Sequence, residues 1–122
     1  AVIAWSDSRE ARRAVAAAVP MLRQTGTVHI LEVCDDEPTD EVRTRLDDVV
    51  AWLKRHGVAA DCAVRPRGGQ SHGDAILGFA AETSAGLIVA GGYGHARLRE
   101  WAMGGVTRTL LDDSPVCLLL SH

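Results

Sequence analysis

Short apolar runs alternate with stretches whose apolar residues recur at helical spacing. This is the pattern of βαβ units, in which a parallel sheet is covered by helices on both faces. Ala1 to Ser6 reads as the first strand, and Ser8 is placed to cap a helix with an inward stripe of Ala11, Ala14, Val15, Ala18 and Leu22. Gly26 stops that helix, and Pro20 removes one backbone donor from its last turn. Val28 to Cys34 is the second strand, followed by a turn at Asp35-Asp36-Glu37-Pro38-Thr39. The second helix carries Val42, Leu46, Val49, Val50 and Leu53 inward and ends at Gly57. Lys54, Arg55 and His56 sit in its last turn, where cations complement the dipole.

Asp61 to Arg65 alternates polar and apolar residues, as a half-exposed edge strand does. Gly68-Gly69-Gln70-Ser71 leads into a third helix with Ile76, Leu77 and Ala80 inward and Gly86 closing it. Leu87 to Ala90 is apolar throughout, which suits a central strand buried on both faces. Val106, Leu110 and Leu111 mark the inward face of a fourth helix. Asp112-Asp113-Ser114-Pro115 breaks it before a fifth strand at Val116 to Leu120. The expected fold is an α/β, open, doubly wound, five-stranded parallel sheet in the order 3-2-1-4-5 with four helices on both faces. An apolar fifth strand at the sheet edge invites pairing with a second copy.

A chain of 122 residues, 47% apolar, fits one domain over residues 1–122 and can bury a core without disulfides or metal. Net charge is -3 with no basic block, which argues against a nucleic-acid surface, and aromatics at 4% argue against a base-stacking platform. No signal peptide or transmembrane run is visible, every apolar stretch being well short of about 18 residues. Cys34, Cys62 and Cys117 are odd in number and form no C-x-x-C pair, so the expected compartment is the reducing cytoplasm. Cys62 and Cys117 lie in strand-like runs and read as small apolar residues. The chain enters its first strand at once, which fits a fragment or one half of a tandem protein.

Candidate chemistry concentrates at Gly91-Gly92-Tyr93-Gly94-His95 and onward to Gly104-Gly105-Val106-Thr107, a glycine-rich loop that follows an apolar strand and opens a helix. Glycine lets backbone approach a ligand, and amides at a helix start favour an anion. The spacing is G-x2-G-x9-G, distinct from the dinucleotide fingerprint and from a P-loop. Placed after Leu87-Ile88-Val89-Ala90, it resembles the nucleotide loop of the universal stress protein family. Val2-Ile3-Ala4-Trp5-Ser6-Asp7-Ser8-Arg9-Glu10-Ala11 is similar to the family's opening strand and turn, and Pro115 to Leu120 to its closing strand.

The resemblance implies an adenine nucleotide (ATP, ADP or AMP), with Mg only as the nucleotide brings it, a homodimer through Val116–Leu120, and no dedicated catalytic step. Gly91, Gly94 and Gly104 would shape the loop, and amides near Gly104, Gly105 and Val106 would hold phosphates. Ala4 and Val33 would floor the adenine, with Ser6 and Asp7 beside it. The pattern is degenerate at two positions. Ser6 stands where nucleotide-binding members have Asp, and Gly105 stands where they have Ser or Thr, with Thr107 as a partial substitute. Each lost charged hydrogen bond is worth roughly 1.5–3 kcal/mol, about ten- to a hundredfold in affinity.

Other readings stay open from the residues alone. The glycines serve a tight turn and close helix packing equally well, and Asp7 and Ser8 are ordinary turn and cap residues. His95, Arg97 and Arg99 suit phosphate or a solvated surface with Glu100. Trp5 and Trp101 suit burial better than stacking, and Trp52 fits the second helix. No nucleophile elbow, metal-ligand spacing or acid beside the loop supports an enzyme, leaving at most weak nucleotide hydrolysis. The alternative function is a nucleotide-independent module that binds another protein.

Overall fold

The computed structural model describes residues 1–92 and 105–122. Strand β1 (Val2–Trp5) leads to α1 (Arg9–Leu22), then β2 (His29–Cys34), α2 (Asp40–Arg55), β3 (Asp61–Pro66) and α3 (His72–Glu82). β4 (Leu87–Gly91), α4 (Gly105–Asp113) and β5 (Cys117–Ser121) complete the order. The strands form one parallel sheet, β3-β2-β1-β4-β5. The doubly wound α/β fold expected from the alternating pattern is the fold observed.

Local chemistry explains the helix boundaries. Ser8, Thr39 and Ser71 cap α1, α2 and α3, each side chain accepting an amide of the first turn from Ala11, Val42 and Asp74. At the end of α2, Gly57 lies at φ +80, with its N–H on Lys54 O and that of Val58 on Leu53 O, a Schellman closure. α3 ends the same way without glycine. Ser84 takes the left-handed position at φ 52, and the exposed Gly86, expected to close the helix, lies two residues beyond it.

Side-chain alternation along β1 sorts the core into two layers. Ile3 and Trp5 face α1 and α2 together with Ala14, Leu22, Ile30, Leu46 and Leu53. Val2 faces the opposite layer with Leu31, Ile76, Phe79, Ile88 and Leu110. β4 is buried along its first four residues, as its continuous apolar run requires.

Three expectations about side chains are corrected. Cys62 and Cys117 are exposed, because the strands that hold them are the two sheet edges and lack cover there. Leu111 is 48% exposed, because the inward face of α4 is Thr107 and Leu110, and the next residue is turned about 100° away. Phe79, absent from the expected stripe of α3, is buried against His29, with ring centroids 5.9 Å apart and edge to face.

Candidate functional site

Between β1 and β4 the order of the sheet reverses, which opens a crevice beyond the carboxyl ends of the strands. A cavity of about 410 Å³ lies there, within the range that holds small ligands. Ala4, Ser6, Asp7, Val33, Gly91, Gly105, Val106 and Thr107 all line it, so every described member of the sequence-derived set comes to one place. Gly94 and Gly104, with His95, Arg97, Arg99, Glu100 and Trp101, lie outside the described residues.

The floor is apolar because it is one face of three strands. Ala4 is paired with Leu31 on one side and Ala90 on the other, and Val33 lies two residues beyond Leu31 on the same face. Ile76 of α3 and Val106 of α4 close it from above. Leu31 and Ala90 were not singled out from the sequence. Period-two alternation from Val33 and strand pairing from Ala4 are the signals that point to them.

One wall is the start of α4. It opens at Gly105 with no acidic residue in its first turn, whereas α1, α2 and α3 each place a carboxylate there. The residue before it in sequence, Gly104, has no side chain to cap the amides. Among the described residues of this helix start, no countercharge offsets the dipole that faces the cavity. Thr107 is 5% exposed and lines the cavity, and its hydroxyl pairs with none of the described residues. A Cβ on Gly105 would meet nothing within 4 Å.

The opposite wall is the turn from β1 into α1. Ser6 Oγ lies 3.0 Å from Ser8 Oγ, and Ser8 Oγ also accepts the Ala11 N–H at 3.1 Å, so Ser8 is occupied as a cap. Arg12 engages the Asp7 carboxylate. Glu10 pairs with Arg9 at 3.3 Å. A hydrogen bond from its own backbone amide, joined by Arg9, holds the Glu10 carboxyl below the usual range, so it is ionised at neutral pH. His72, at the first position of α3, adds an imidazole. Its Nε2 is 3.3 Å from Asp35 Oδ1, an oxygen that Arg67 Nε also reaches at 2.8 Å.

Gly91 has a structural duty besides lining. A Cβ there would lie 2.6 Å from Ala11 N and 2.8 Å from Glu10 C, so α1 packs on the end of β4 only because that residue is glycine. Gly73 does the same between helices, its Cβ position falling 2.6 Å from Thr109 Cβ, which lets the start of α3 press against α4.

A second cavity of about 340 Å³ opens on the other face of the sheet between α1 and α2, with Trp5 and Trp52 in its lining. Trp5 and Asp7 line both cavities. Its cations are already committed, Arg12 to Asp7 and Arg45 to Glu32 at 2.8 Å. The Glu32 hydrogen bond holds the Arg45 guanidinium further above its usual range. Trp52 stacks on His56 with centroids 3.9 Å apart.

The sequence matches the model of the universal stress protein family over residues 1–122. The chain belongs to that family. Solved universal stress proteins share its fold. One from Archaeoglobus fulgidus superposes with a TM-score of 0.77 at 21% identity, covering 99% of this chain and 96% of its own. A member from Burkholderia pseudomallei gives 0.74 at 22%, covering 98% and 92%. An Archaeoglobus fulgidus protein solved in complex with dAMP gives 0.72 at 22%, covering 99% and 95%. A search of curated protein sequences finds no significant match. No described helix of this universal stress protein is long and apolar enough to cross a membrane.

Proposed function

We propose that this universal stress protein domain binds an adenine nucleotide in the cavity at the β1/β4 switch point and acts as a regulatory dimer without a catalytic step. The observation that carries the reading is the convergence of a helix start with no acidic residue in its first turn and an apolar floor on one cavity of nucleotide size. The dAMP complex of a relative with the same fold supports it. Adenine rests on Ala4 and Val33, extended by Leu31. Phosphates meet the amides of Gly105, Val106 and Thr107, with the Thr107 hydroxyl in reserve and Gly94 and Gly104 shaping the rest of the loop. Ser6 and Gly105 make the binding weak. Free Cys34, Cys62 and Cys117 fit a reducing cytoplasm.

Calorimetric titration with ATP, with and without magnesium, is expected to show saturable binding weaker than about micromolar, where the free energy is about -8 kcal/mol. Ala4→Leu should fill the floor and weaken binding at least about tenfold, the effect of misplacing a base by a small clash. ATP binding equally well to that variant would place the site elsewhere.

The dimer runs through β5. It is an edge strand whose Leu118, Leu119 and Leu120 stay half-buried in one copy, so a second β5 would complete both ladder and cover. Leu118→Lys should yield monomers by light scattering at unchanged circular dichroism. A persistent dimer with that variant would move the interface away from β5.

A second reading has its own support. The contacts of Gly91 with α1 explain that glycine without any ligand, and Arg12 already occupies Asp7. On that reading the loop is structural and the domain is a nucleotide-independent module for a protein partner.

A further inference from the structure

We infer that His72 is the described residue that turns a cation toward the nucleotide cavity and that binding of a phosphorylated ligand there takes up a proton. The inference rests on the nucleotide reading above and concerns its regulation.

The described lining holds two carboxylates, Asp7 and Glu10, each answered by an arginine of α1 or its start, Arg12 and Arg9. His72 is the one described lining residue able to become a cation. Its place follows from packing. Gly73 brings the start of α3 against Thr109, so His72 and the first turn of α4 flank the same cavity. On the far side, Asp35 lies beyond the end of β2 and holds His72 Nε2 at 3.3 Å. Arg67 shares that carboxylate at 2.8 Å and donates its other nitrogen to Gln70 O at 3.2 Å.

The charge balance decides the direction. Asp35 is already neutralised by Arg67, so a proton on His72 leaves a net positive charge facing the cavity. On its own helix, Asp74 is turned to the Ser71 hydroxyl at 2.7 Å. On α4, Arg108 and Asp112 pair with each other at 3.5 Å. A phosphate entering the cavity favours the protonated imidazole, and by linkage the protonated imidazole favours the phosphate. Imidazoles titrate near physiological pH. The contribution is therefore expected to be larger at pH 6 than at pH 8.

The test is calorimetry of AMP and of adenosine at pH 6 and pH 8, in two buffers of different ionisation enthalpy, on the wild type and on His72→Gln. The variant keeps a polar side chain of similar reach and loses the titration. AMP should bind the wild type with proton uptake. His72→Gln should abolish the uptake, weaken AMP about three- to tenfold at pH 6, and change nothing at pH 8. Adenosine should be indifferent to both pH and variant. Comparing one ligand across the two proteins cancels the protonation of the AMP phosphate itself. An equal proton balance for AMP in the wild type and in His72→Gln would overturn the assignment. If neither AMP nor adenosine binds the wild type, the nucleotide reading fails and takes this inference with it.

Discussion

Replacing Gly91 with alanine should lower the unfolding free energy by about 2–3 kcal/mol, the range of overpacking a tight core, whether or not any ligand is present. The reason is geometric. The added methyl would sit 2.6 Å from Ala11 N and 2.8 Å from Glu10 C, and both are backbone atoms of α1 that no rotamer change can move. α1 must shift bodily against β4, and its first turn carries the Ser8 cap and the Glu10 wall of the cavity. Urea denaturation is the measurement. With a slope of about 1–3 kcal/mol per molar, the midpoint should fall by about 1–2 M. Gly92→Ala is the control. Its nearest contact would be 3.8 Å, an ordinary distance, and its midpoint should stay near that of the wild type. Equal midpoints for Gly91→Ala and the wild type would show that α1 yields without strain.

The same glycine shows how far the sequence was legible. Periodicity gave the five strands and all four helices, since each strand is a short apolar run and each helix has a stripe at helical spacing, and the doubly wound fold class supplied the strand order. The stripe of α1 was read correctly because small residues, Ala11, Ala14 and Ala18, sit where a helix must lie close to a sheet. Leu111 was misread because one extra apolar residue beside Leu110 cannot be assigned to a face without knowing what lies opposite. The edge cysteines were misread because an apolar run does not say which of its faces is covered.

For the site, the glycine loop and the turn after β1 were both visible, and topology sufficed to bring the described ends of that loop, Gly91 and Gly105, to the turn. The contacts that make Gly91 and Gly73 obligatory were not legible. They are tertiary, with Gly91 meeting α1 some 80 residues earlier by chain position and Gly73 meeting Thr109. His72 was passed over for a related reason. An imidazole at a helix start shows no partner in sequence, and Asp35 joins it and Arg67 only when the loops after β2 and β3 meet at one end of the sheet.

Gly105→Ser should tighten ATP binding about ten- to a hundredfold, the effect of restoring one hydrogen bond to a charged group, and should leave adenosine unchanged. Space favours the substitution. Among the described residues nothing lies within 4 Å of a Cβ at Gly105, and serine is better than glycine in a helix, so the fold should be unharmed. The first turn of α4 has no carboxylate, and a hydroxyl added there meets a phosphate without like-charge repulsion. Ser6→Asp is the harder restoration, because Asp7 and Glu10 already line that side of the cavity and a third carboxylate opposes an anionic ligand. The two single variants thus separate the defects that the family resemblance identifies. Titration of each with ATP and with adenosine provides the measurement. A gain for ATP alone from Gly105→Ser assigns the amides of α4 to phosphate. An equal gain for adenosine would mean that the serine acts by firming the helix start. No gain for either ligand would leave the cavity without a nucleotide role and favour the protein-binding module.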